Sequence, residues 1–157
     1  MKKIQNKGIS FVEIIVIISI ISLICAFAIP NLSQFHKQQT LNNAVEDTVS
    51  LINEARNNTI SSKNSNTYGI HFESSKVTLF AGSSYNISSA NEEIDFDSSV
   101  AIPSTGGINL NGGGSDVVFD RISGDTSKYG TIIIQLVSDT TKQKIISISK
   151  IGIISTN

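Results

Sequence analysis

Aromatic side chains make up only 6% of this 157-residue chain, and cysteine occurs once, at Cys25. A lone cysteine excludes an intramolecular disulfide, and its place inside an apolar run leaves the redox compartment unread. So few aromatics permit a modest core, the size of one ordinary domain plus an accessory segment. An excess of either charge is missing too, since 12 basic side chains stand against 13 acidic ones. Three of the cations, Lys2, Lys3 and Lys7, precede the apolar run, so the remainder is acidic by about 4 charges and offers nucleic acid no bulk attraction. Patterns for chemistry are equally scarce. His36 and His71 lack a second ligand at metal spacing. The glycine-rich tract 111–115 has neither the lysine nor the strand–helix context of a phosphate loop. No Ser, His and Asp set stands out for hydrolysis. The expectation is a non-enzyme without catalytic residues, cofactor or metal.

What the chain does have is an apolar run over residues 9–29 in which Glu13 is the one charge. The run is long enough to cross about 30 Å of hydrocarbon as a helix, and the lysines ahead of it place that side in the cytoplasm. A carboxylate inside such a helix costs about 2.5–3.5 kcal/mol even on insertion scales. Three readings compete. The run is a plain signal anchor; or Ala26-Phe27-Ala28 is a signal-peptide cleavage site; or cleavage falls early, after Gly8, leaving the run as a new N-terminus. Only the third supplies a partner for Glu13.

The string Lys7-Gly8-Ile9-Ser10-Phe11-Val12-Glu13 resembles the leader of type IV pilins and type II secretion pseudopilins: a short basic leader, a glycine, an apolar residue, and a glutamate at the fifth mature position. The resemblance implies that prepilin peptidase cuts between Gly8 and Ile9 and methylates the Ile9 amine. It also implies that Glu13 neutralises such an amine during assembly and that Pro30 kinks the helix. The domains it implies are a leader at 1–8, a transmembrane helix at 9–30, an amphipathic helical half at 31–62 and a periplasmic domain at 63–157. Its partners would be the peptidase, the inner membrane before assembly, and other pilin or pseudopilin subunits, with no nucleic acid.

Periodicity supports the helical half independently. Leu41, Ala44, Val45, Thr48, Val49, Ile52 and Ala55 recur at three- and four-residue spacing, while Asn42, Asn43, Glu46, Asp47, Asn53, Glu54 and Arg56 fill the other face. The Asn/Ser run 57–64 ends it. Beyond lie short strand candidates at 68–72, 76–81, 93–96, 100–102, 117–120, 131–138 and 144–150, separated by Ser, Asn, Gly and Asp clusters. The fold class expected is therefore α+β, a long N-terminal helix packed on an antiparallel β-rich domain. Two stretches resemble the H-type minor pseudopilins and fimbrial T minor pilins: Val118-Phe119-Asp120-Arg121-Ile122-Ser123-Gly124, and Ile146-Ser147-Ile148-Ser149-Lys150-Ile151-Gly152-Ile153. Some fimbrial T proteins bind DNA through arginine just after the closing glycine. Here Gly152 is followed by Ile153-Ile154-Ser155-Thr156-Asn157, which has no cation for phosphate contacts. Glu92, Glu93, Asp95 and Asp97 have the oxygens for calcium, yet Ile94 and Phe96 alternate with them as on a half-buried strand. The Asn-x-Ser/Thr triplets at 31, 57 and 86 read as chance matches in an Asn/Ser-rich chain.

Overall fold

The Ser10 carbonyl accepts the N–H groups of Glu13 and Ile14 at 3.0 and 3.3 Å, and this opens a helix, α1 (Phe11–Ile60). The computed structural model describes residues 9–86 and 92–157, with side chains at all of these except 27–32. The leader 1–8, with Gly8, lies outside the described residues. Pro30 falls within α1 by its backbone, and its side chain lies outside the description. Among the described residues no helix is long and apolar enough to cross a membrane. The apolar stretch with described side chains covers residues 11–26, about 24 Å at 1.5 Å per residue against about 30 Å of hydrocarbon. The expected span 9–30 is thus only partly described.

The chain divides into two compact units, Met1–His36 and Lys37–Asn157, and α1 contributes to both. In the first unit five consecutive side chains, Ile14 to Ile18, are 44–58% exposed, so every face of the helix is apolar and open.

In the second unit α1 buries one stripe: Leu41, Ala44, Val45, Thr48, Leu51, Ile52, Ala55 and Thr59. Its opposite face carries Asn43, Glu46, Asp47, Asn53 and Glu54 in solvent. This is the amphipathic half that the periodicity predicts, extended by Leu51 and Thr59. The helix stops where Ser62 turns left-handed at φ 51°, and a short 3-10 turn, Lys63–Ser65, leads into the sheets.

Among the described residues nine strands follow, all paired antiparallel. The first sheet has the order β3-β2-β1-β6, built from β1 (Tyr68–Phe72), β2 (Lys76–Ala81), β3 (Glu92–Asp95) and β6 (Asp116–Val118). In the second sheet β7 (Gly130–Leu136) and β8 (Asp139–Ile148) form a hairpin, and β9 (Ile154–Thr156) adds to β8. The other edge of β7 is shared by β4 (Val100–Ala101) and β5 (Ile108–Leu110). Ile132, Ile134 and Leu136 of β7 point inward with Ile146 and Ile148 of β8, and they meet the α1 stripe, Ile70, Phe72, Val77 and Val117 in one core. The α+β class is therefore as expected. Two strands were not expected, β5 and β9, and β8 begins five residues earlier than its apolar alternation suggests.

Candidate functional site

Ile9 is exposed just before α1, and the Glu13 carboxylate is exposed in the helix's first turn. That turn holds unsatisfied N–H groups and the positive end of the helix dipole, a favourable place for an acid. Among the described residues Glu13 has no ion pair or side-chain hydrogen bond. Ser19 donates to the Ile15 carbonyl at 2.8 Å, which accounts for one hydroxyl in the apolar run.

The two glycine-bearing stretches singled out in the sequence meet in space, joined by a residue that reading placed on the solvated helix face. Gly124 and Gly152 both take left-handed backbone, at φ 70° and 73°. Arg56 of α1 reaches them, donating from Nε to the Gly124 carbonyl at 3.2 Å and from Nη2 to the Ile151 carbonyl at 3.4 Å. The packing leaves no room for side chains. A Cβ on Gly152 would lie 2.1 Å from the Gly124 oxygen and 2.6 Å from Arg56 Nε, and one on Gly124 would lie 2.7 Å from Ile60 Cδ1. The backbone closes the junction, with Thr126 N–H donating to the Lys150 carbonyl at 2.9 Å and Ser149 N–H to the Ile153 carbonyl at 2.9 Å. Thus a cation does stand beside the closing glycine, but it comes from the helix and gives two of its five N–H donors to carbonyls. At the rim Ile122, Ile151 and Ile153 are exposed, and Ile122 holds φ 76°, uncommon for a β-branched residue.

A second cluster was missed because strand pairing, not spacing, creates it. In register His71 of β1 sits opposite Asp116 of β6, and its Nδ1 contacts Asp116 Oδ1 at 2.5 Å. Its Nε2 is 3.5 Å from Glu73 Oε1. His71 and Glu73 edge a cleft of about 560 Å³ lined also by Ser74, Pro103, Ser104 and Ser115. His71 is half-buried, and its partner Asp116 lies too far along the chain for spacing to reveal. Among the described residues no group of three or more His, Cys, Asp or Glu could hold a metal ion. In the acidic stretch Lys76 Nζ lies 3.1 Å from both oxygens of Glu93, whose hydrogen bond holds the ammonium above its ordinary range. Asp97 is occupied by Ser99, which lowers its carboxyl below the usual range.

No family model matches this chain, and neither curated proteins nor solved structures yield a match.

Proposed function

We propose that this chain is a minor pseudopilin, a structural subunit cut after Gly8 by prepilin peptidase, held in the inner membrane and then assembled into a type II secretion pseudopilus. The observation that carries the reading is the first unit's helix, apolar on every face and exposed, with a lone carboxylate in its first turn. A contiguous apolar surface of that extent calls for lipid or other chains around it. Glu13 calls for a cation, and cleavage after Gly8 would create one at the Ile9 amine. The second unit adds a packed periplasmic domain that would stay outside the helical core of a filament. Its two glycine stretches, brought together on Arg56, support the H-type and fimbrial T branch by giving each a structural purpose. Assembly into a type IV pilus uses the same parts and is the alternative. DNA uptake is disfavoured because the segment after Gly152 carries no cation and Arg56 beside it gives its Nε and one Nη2 donor to carbonyls.

The mass of the mature chain tests this directly. Loss of residues 1–8 with one added methyl group is the expected result. An intact N-terminus, or a start at Ile29, would refute it.

A further inference from the structure

Asn111 is the one asparagine that a glycine follows, and it opens a tract, Gly112, Gly113 and Gly114, that is exposed throughout and left-handed at φ 79°, 68° and 86°. Backbone bonds hold the start of this turn. The Asn111 N–H donates to the Tyr129 carbonyl at 2.7 Å, and the Gly113 N–H reaches back across the turn to the Leu110 carbonyl at 2.9 Å. Lys128 clamps the far side, its Nζ donating to the Gly112 carbonyl at 3.1 Å and to the Gly113 carbonyl at 2.5 Å. The Gly112 N–H is left out of this scheme. Among the described residues it makes no hydrogen bond, nor does the exposed Asn111 side chain. With no Cβ on Gly112, nothing on that residue shields its nitrogen from the side chain before it.

We propose that Asn111-Gly112 is a self-modification site, at which the folded chain converts Asn111 to aspartate and isoaspartate without an enzyme. The Gly112 nitrogen gives its proton to water and bonds to Cγ of Asn111; the Cγ–Nδ2 bond breaks, and the side-chain nitrogen takes up a proton and leaves as ammonia. A cyclic imide remains. Water then adds to one or other imide carbonyl, opening the ring to aspartate or, where the main chain comes to run through Cγ, to isoaspartate. No electrons are exchanged, and water is the co-reactant. Either product adds a negative charge to the turn that Lys128 clamps. Isoaspartate also inserts a main-chain carbon into the loop that the Leu110–Gly113 bond closes, so that bond must stretch or break. Gly114 and Ser115 continue from the turn into the wall of the cleft beside His71, so the change reaches that cleft.

The test incubates the full-length chain in detergent micelles at neutral pH and locates each change by fragmentation of its tryptic peptides. Asn111 should gain about 1 Da. It should do so about tenfold faster or more than Asn64, which is also exposed and left-handed but precedes a serine. Hydroxylamine, which opens the imide, should release a fragment that begins at Gly112. Asn111→Gln should abolish both signals, and Gly112→Ala should slow them about tenfold or more, because a Cβ shields the attacking nitrogen. Unfolding in urea should change the rate by less than about tenfold, since the turn is already open in the folded chain. A rate at Asn111 no faster than at Asn64, a chain that hydroxylamine leaves whole, or aspartate as the sole product would each overturn the proposal. So would an unslowed Gly112→Ala variant, or a larger rise in urea, which would mean that the fold protects the site.

Discussion

Gly152→Ala probes the junction of the two glycine stretches, and Gly106→Ala is its matched control. Both glycines hold φ 73°, so both substitutions impose the same left-handed strain on a Cβ-bearing residue, about 1–2 kcal/mol. The surroundings differ. Nothing lies within 4 Å of a Cβ at Gly106, while at Gly152 the Gly124 oxygen would be 2.1 Å away and Arg56 Nε 2.6 Å away. Arg56 must therefore move, and it cannot do so without giving up its bonds to the Gly124 and Ile151 carbonyls. The bonds are long and the guanidinium is half in solvent, so about 1–2 kcal/mol for the pair is appropriate, below the upper values for charged donors. The backbone clash with Gly124 adds a shift of the turn. Gly152→Ala should thus cost about 3–5 kcal/mol in total.

The assay is thermal unfolding of the full-length chain in detergent, followed by circular dichroism. For a unit of this size 1 kcal/mol moves the midpoint by about 3–4 °C. Gly106→Ala should then fall by about 3–8 °C and Gly152→Ala by at least about 10 °C. Arg56→Met should cost less than Gly152→Ala, and the double variant should cost little more than Gly152→Ala alone, because the alanine already unseats the arginine. Equal midpoints for the two glycine variants, or additivity with Arg56→Met, would refute the junction.

Thr59 ties the helix end to β1, accepting the buried Tyr68 N–H at 2.8 Å while donating to the Ala55 carbonyl at 2.9 Å. Thr59→Val should cost about 1–3 kcal/mol by orphaning that N–H, and Thr59→Ser should recover most of it in the same melting assay. Asp139 is held below the usual aspartate range by the Thr141 hydroxyl at 2.6 Å and N–H at 3.1 Å, and Asp97 likewise by Ser99. Groups with depressed folded values contribute stability above their unfolded value, and lose it as pH falls below about 4 through the folded value. Carboxyl titration by NMR should place both midpoints below the unfolded reference, and Thr141→Val should raise that of Asp139 alone. If the chain is the subunit proposed, Glu13→Gln should leave cleavage largely intact but impair filament assembly, and carbodiimide coupling in filaments of mixed isotopic label should join Glu13 to an Ile9 amine, the labels telling whether it belongs to the same chain or another.

Features set by local spacing were legible in the sequence, and those set by distant pairing were not. Leu41 to Ala55 announce a helix stripe because helical periodicity is written in neighbours three and four apart. Ile146 and Ile148 announce a strand face by alternation. β5 is three residues between glycine turns, and β9 follows the left-handed Gly152, so neither is long enough to show a period. The polar start of β8 carries no apolar signal either and is a strand only because β7 pairs with it. His71 and Asp116 come together across β1 and β6, 45 residues apart. Arg56 misleads for the same reason. Its helical position belongs to the solvated face, and the carbonyls it serves lie 68 and 95 residues away.

The helix carries two different kinds of surface. Its two stretches carry different solvation: from Leu41 onward a single stripe is apolar and the rest polar, as water on one side demands, whereas residues 14–18 are apolar all round. Glu13 is the exception in the second setting. A first-turn position returns about 0.3–1 kcal/mol through the helix dipole, against the roughly 2.5–3.5 kcal/mol that a carboxylate costs in an apolar span. About 2 kcal/mol is left to be offset. Among the described residues no cation stands near Glu13 to supply it, and the apolar run ahead contains none. The amine that the proposed cleavage after Gly8 would create at Ile9 is of the right charge and would lie at the right end of the helix. Neutralising Glu13 to glutamine removes the attraction while keeping the size of the side chain. A filament that formed normally from Glu13→Gln subunits would therefore rule out charge as the reason for the residue, whichever chain the amine belongs to.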